Sequence, residues 1–193
     1  MLTLIISTQR TGSTSLLRSL EGNIWIPKES MHRYELFNFS NLPIVNNKQL
    51  ELYYLSLLLE YLEQNPDENV LVKVLVDQVS ITTLKCLVKH ASFIHHAIRL
   101  DYGSQLSSLV CANKTSSWYE RSKIYTVEIT QDDINECHEY LSNIITLHST
   151  IYKKYPGKLH ILEDRDYSPY LSQHIINAKE LTWPNFNTKE LFL

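Results

Sequence analysis

Glycine is scarce in the 193-residue chain: Gly12, Gly22, Gly103 and Gly157 are all there is, so each has a backbone duty to perform. Gly22 follows a short helical pattern and Gly157, after Pro156, a long one, both where a helix stops. Cysteine is equally sparse. Cys86, Cys111 and Cys137 are not spaced as CxxC, which excludes the familiar paired-cysteine zinc patterns, and so odd and sparse a count fits a reducing compartment. No apolar run is long enough to span a bilayer, and the first one, Leu2 to Ile6, is too short for a signal peptide and has no basic leader. The chain is therefore expected to be soluble and cytoplasmic, beginning where its fold begins. Neither sign of charge dominates. With 18 Lys+Arg against 21 Asp+Glu and a net charge of −3, a general nucleic-acid-coating protein is excluded, and any anion site must be local. Internal repeats, low-complexity segments and long runs of like charge are also missing, and with them any case for long disorder.

What is present is 44% hydrophobic residues, enough for one well-formed core, so a single domain over residues 1–193 is expected. Leu2 to Ser7 has the length and character of a strand; after a polar turn, Leu16, Leu17 and Leu20 fit one face of a helix. Asn47 to Gln64 carries Leu50, Tyr53, Tyr54, Leu57, Leu58 and Tyr61 at helical spacing and ends at Asn65-Pro66-Asp67. The alternation continues with a strand over Val70–Val76, a helix over Ser80–His90, a strand over Phe93–Leu100 and a helix over Gly103–Asn113. Thr130 and Asp133 form a capping box for a long amphipathic helix through Ile151, followed by a strand over Lys158–Leu162 and a helix over Pro169–Lys179. Strands alternating with helices of crossover length imply an α/β fold with a mostly parallel sheet, in which ligands sit at the carboxyl ends of the strands.

The turn after the first strand reads Ser7-Thr8-Gln9-Arg10-Thr11-Gly12-Ser13-Thr14-Ser15. A Gly-containing strand-to-helix turn rich in Ser and Thr presents backbone N–H groups and hydroxyls to an anion, with Arg10 as the cation. It lacks the spacing and the lysine of a Walker A loop, which counts against an ordinary ATPase or GTPase. The same turn also suits a plain connection whose hydroxyls cap the helix. A second feature shifts the balance: Ile98-Arg99-Leu100-Asp101 ends a later strand and leads into Ser104-Gln105-Leu106-Ser107-Ser108.

Together these segments make the chain resemble the PAPS-dependent sulfotransferases, most closely the bacterial carbohydrate type. Gln9-Arg10-Thr11-Gly12-Ser13-Thr14 matches the loop QR[ST]GST, and Arg99, Asp101, Gln105, Ser108 and Trp118 match the run R-x-D-x3-Q-x2-S followed by W. Lys73-Val74-Leu75-Val76-Asp77-Gln78 is similar to K-[LV]-x3-Q, and Pro27-Lys28-Glu29 to a PxE segment. The resemblance implies a P-loop-like parallel sheet flanked by helices, PAPS as sulfuryl donor with PAP as product, and a hydroxyl of a carbohydrate or glycolipid as acceptor. It further implies that Arg10, Thr11, Gly12, Ser13 and Thr14 hold the 5′-phosphosulfate. Arg99 with a nearby serine would hold the 3′-phosphate, the serine being Ser108 by the closer motif or Ser107 by the more general cytosolic spacing. Glu29 is the motif-matched general base, with Glu35 and His32 near enough in sequence to compete. A homodimer is a further implication.

Sulfuryl transfer asks a protein to hold an in-line geometry and to neutralise charge building on the leaving phosphate, which Arg10 and the loop are suited to do. No metal is called for, because the sequence offers no convincing carboxylate or histidine metal set. Lys73 is a charge in an otherwise apolar strand; it reaches the sulfuryl or acceptor site, snorkels from a strand end, or pairs with Asp77. Trp118 either walls a pocket or simply packs. His95 and His96 point to opposite faces of their strand, so they cannot share a metal, while Cys137 and His148 fall on one helix face as core residues. Two other readings remain open: a nucleotide-dependent phosphotransferase using the same loop, and a catalytically silent PAP-binding module.

Overall fold

Runs of Leu, Ile and Val with no polar alternation form strands buried on both faces. In the computed structural model, which describes residues 1–20, 22–24, 47–115, 126–162 and 180–193, the strands Leu2–Ser7 (β1) and Val70–Leu75 (β3) are buried at every position. Beside them lie Asn23–Ile24 (β2), Phe93–Ile98 (β4) and Lys158–Ile161 (β5), in the order β2-β3-β1-β4-β5, with every pairing parallel. The helices are Ser13–Ser19 (α1), Asn47–Gln64 (α2), Ile81–His90 (α3), Tyr102–Thr115 (α4), Gln131–Lys154 (α5) and Thr188–Phe192 (α6). The protein is thus α/β, a parallel sheet flanked by helices. Among the described residues, no helix is long and apolar enough to cross a membrane.

The strand order decides which face each helix covers. Right-handed crossovers from β2 to β3, β3 to β4 and β4 to β5 all move the same way across the sheet, whereas β1 to β2 moves the opposite way. Accordingly Leu2, Leu4, Ile6, Val72 and Val74 pack under Tyr54, Leu84, Leu106 and Ile144 from the helices of one face. On the other face, Ile5, Leu71 and Ala97 pack under Leu16 and Leu17 of α1. Because strand side chains alternate, Lys73 falls on the α1 face, directly beside Ile5 in the register.

Local chemistry fixes the helix ends. Ser80 caps α3 by accepting from the Thr83 N–H, and its own N–H donates to the carboxylate of Glu51 at 2.9 Å. Thr130 and Asp133 form the reciprocal capping box that their spacing predicts, at the start of α5. Gly157 corrects one expectation. It does not end α5, which stops at Lys154; it sits just before β5, where an added Cβ would lie 2.3 Å from the Ile94 carbonyl oxygen. Close approach of two strands is its duty. The helix expected over Pro169–Lys179 lies outside the described residues.

Candidate functional site

The carboxyl ends of β1, β3 and β4 meet at the turn Thr8–Gly12. Two of its residues take left-handed backbone: Gly12 at φ 84, and Arg10 at φ 60. For glycine this is free, and an added Cβ would find 3.8 Å of room beside Leu162, so conformation and not space selects Gly12. For arginine the same region costs about 1–3 kcal/mol and persists only when the surroundings impose it.

Those surroundings are visible. The Thr11 hydroxyl donates to the Thr8 carbonyl at 3.1 Å, closing the turn on itself. From α4, the buried Gln105 amide donates to Thr8 Oγ1 at 3.0 Å and to the Gln9 carbonyl at 2.6 Å. From β4, one terminal nitrogen of Arg99 donates to the Arg10 carbonyl at 3.4 Å. From the Arg10 side, Nε donates to Ser108 Oγ at 2.8 Å. Gln105 and Ser108 are three residues apart and share a helix face, which is how both reach the turn. Asp101 does a different job: it accepts from the Ser104 N–H and hydroxyl at the start of α4. Burial works against its charge, but those two bonds and the nearby Arg99 hold its carboxyl below the usual range.

Each residue of the spaced run Arg99, Asp101, Gln105 and Ser108 therefore has a structural partner, three of them on the turn itself. Arg99 is only 3% exposed although it lies one residue past the end of β4. Of the two candidate serines, Ser108 faces Arg10, whereas the Ser107 hydroxyl bonds back to the Gly103 carbonyl within its own helix at 2.8 Å. Lys73, 7% exposed, donates from Nζ to Thr14 Oγ1 at 2.8 Å and so points to the first turn of α1. Ser13 is buried in that first turn, where the N-cap, Gly12, has no side chain to cap the leading N–H groups.

Proton inventory says what this arrangement can bind. Arginine and lysine only donate, so Arg10 and Lys73 occupy lone pairs of Ser108 and Thr14 and leave each hydroxyl its own proton to give. Two hydroxyls polarised by cations, together with uncapped N–H groups, present donors to an incoming group. The chemistry suits an anion with several acceptor oxygens.

Sequence spacing does not foretell the contacts on the other side of the turn. The Gln9 amide donates to the Tyr140 hydroxyl of α5 at 2.7 Å, and Tyr140 in turn donates to Asp77 Oδ2, just past the end of β3. Glu29, Glu35, His32 and Trp118 lie outside the described residues. Cys111 sits near Arg10, which favours its thiolate, yet burial dominates and pushes the thiol up to about 11, so it is no nucleophile at neutral pH. His95 and His96 do face opposite ways, His95 stacking on His160 and His96 on buried His148. No family model matches the chain, and no curated protein matches it.

Proposed function

We propose that the protein is a PAPS-dependent sulfotransferase that moves a sulfuryl group to a hydroxyl of a carbohydrate or glycolipid, with the sulfotransferase form of the P-loop-like fold. The observation that carries this reading is the meeting of Arg10, Arg99 and Ser108 on one turn, from two segments of chain about 90 residues apart. PAPS has phosphate at both the 5′ and 3′ positions, and the site has two arginines to match. The motif assigns Arg10, Ser13 and Thr14 to the 5′-phosphosulfate and Arg99 with Ser108 to the 3′-phosphate; Ser108 itself bonds Arg10, so the two halves of the site adjoin at that serine. In the transfer, the acceptor oxygen forms the new S–O bond as the S–O bond to the 5′-phosphate breaks, and that phosphate leaves with the electron pair. Lys73 lies on the α1 side of the turn, where its charge stabilises the leaving oxygens. Glu29 takes the proton of the acceptor hydroxyl.

Incubation with PAPS and a panel of sugars and glycolipids tests this: a sulfated product with stoichiometric PAP is expected, and Glu29→Gln should lower turnover while PAP still binds. One observation favours a second reading. Asp77 places a carboxylate beside the anion turn, as a Mg²⁺-dependent phosphotransferase would need; transfer from ATP requiring Mg²⁺ would establish it.

A further inference from the structure

We infer that Tyr140 and Asp77 are positioning residues that hold the anion turn in shape through Gln9; this rests on the reading of the turn as the donor-binding loop. The hydrogen-bond directions leave little freedom. The Tyr140 hydroxyl has one proton, which goes to Asp77 Oδ2, so the phenol oxygen accepts the Gln9 amide N–H at 2.7 Å. Flipping that amide would set its oxygen against an oxygen whose proton is already given away. The Gln9 Nε2 also lies 3.4 Å from Asp77 Oδ2, on the same side. Gln9 is thus fixed at its side chain by Tyr140 and at its carbonyl by Gln105. The residue it leads into is Arg10, at φ 60, whose guanidinium meets Ser108. Pinning the residue before an unfavourable turn is a direct way to impose that turn.

The helix that carries Tyr140 also fixes the other half of the site. Eight residues further along α5, His148 bonds His96 of β4 at 3.1 Å, and β4 runs on to Arg99. One rigid helix therefore sets the Arg10 turn and the strand bearing Arg99 at a constant separation, which a ligand with a phosphate at each end requires. Tyr140 and Asp77 meet the turn at the Gln9 side chain, and it is through that residue that they act on Arg10.

Tyr140→Phe keeps the ring and removes the hydroxyl. In the ligand-free full chain, backbone amides of residues 9–14 should exchange with solvent about 5- to 10-fold faster, those within α5 should not, and PAP affinity should fall by a similar factor. On a Gln9→Met background, the same substitution should change PAP affinity by less than about 2-fold, because its route is already cut. Asp77→Asn, which still accepts from Tyr140, should keep near-normal loop exchange and PAP affinity, whereas Asp77→Leu should not. Unchanged loop exchange in Tyr140→Phe, additive losses with Gln9→Met, or an inactive Asp77→Asn that still binds PAP would each overturn the inference. The last of these would make Asp77 a catalytic base instead. If the native protein bound no PAP, the donor-binding reading would fail, yet the exchange measurement would still decide whether Tyr140 shapes the turn.

Discussion

The guanidinium of Arg10 reaches Ser108 Oγ at 2.8 Å across 98 residues of sequence, and that bond separates two serines that motif spacing alone leaves equivalent. Ser108→Ala removes an acceptor for Arg10 and a hydroxyl that can donate to phosphate. PAP affinity is expected to fall about 10-fold, the scale of one charge-assisted hydrogen bond. Ser107→Ala, which removes a hydroxyl bonded back to the Gly103 carbonyl of its own helix, should stay within about 2-fold. Calorimetric titration of both variants checks this, and a larger loss for Ser107→Ala would reassign the serine.

Lys73 puts an ammonium group inside an otherwise apolar, buried strand, which packing alone does not call for. Lys73→Met keeps the length and apolar stem, so the melting temperature should hold or rise, because burying a charge is unfavourable. Affinity for inorganic pyrophosphate should fall about 10-fold as Thr14 loses its cation. A destabilised variant with undiminished anion affinity would show that Lys73 is structural.

The buried pair His96 and His148 makes the fold sensitive to acid. His96 Nε2–H donates to the Tyr155 carbonyl at 2.9 Å, so its Nδ1 accepts from His148. Burial pushes His96 down to about 4, against the Tyr155 bond, and His148 down to about 3, with His96 adding to the effect. Both are neutral when folded and titrate near 6.5 when unfolded, so the unfolded chain binds more protons between pH 6.5 and about 4. Stability is therefore full above pH 6.5 and falls as the pH drops, by up to about 1.4 kcal/mol per unit for each imidazole. His148→Gln can still donate to His96 but does not titrate. Urea unfolding from pH 7 to 5 should show a shallower slope for that variant; an identical slope would place the acid sensitivity elsewhere.

How far the sequence foretells this molecule depends on the range of the interaction. Asn47–Gln64 starts and stops where its tyrosines, leucines and Asn65-Pro66 say it should, and Thr130 with Asp133 makes the capping box that three-residue spacing implies. These are contacts within one or two turns of chain. Asn23–Ile24 and Thr188–Phe192 carry too few residues for a periodic pattern, and they form because β3 and α5 offer them a surface. At the site, Arg10, Arg99 and Ser108 are legible because their spacing matches a motif. The Lys73–Thr14 contact is not, since the strand pattern alone does not say which face Lys73 takes or which helix turn lies over it. Tyr140 is one of 12 tyrosines, and nothing in its neighbourhood marks it as the one that meets Gln9.

The most direct test is a calorimetric comparison of PAP, adenosine 5′-phosphosulfate and ATP binding to the native protein and to Arg99→Ala. If Arg99 grips a 3′-phosphate, the native protein binds PAP at least about 10-fold more tightly than ATP, and Arg99→Ala loses about 100-fold for PAP but less than about 3-fold for adenosine 5′-phosphosulfate. Equal losses for the two, or a preference for Mg²⁺-ATP over PAP, would contradict it.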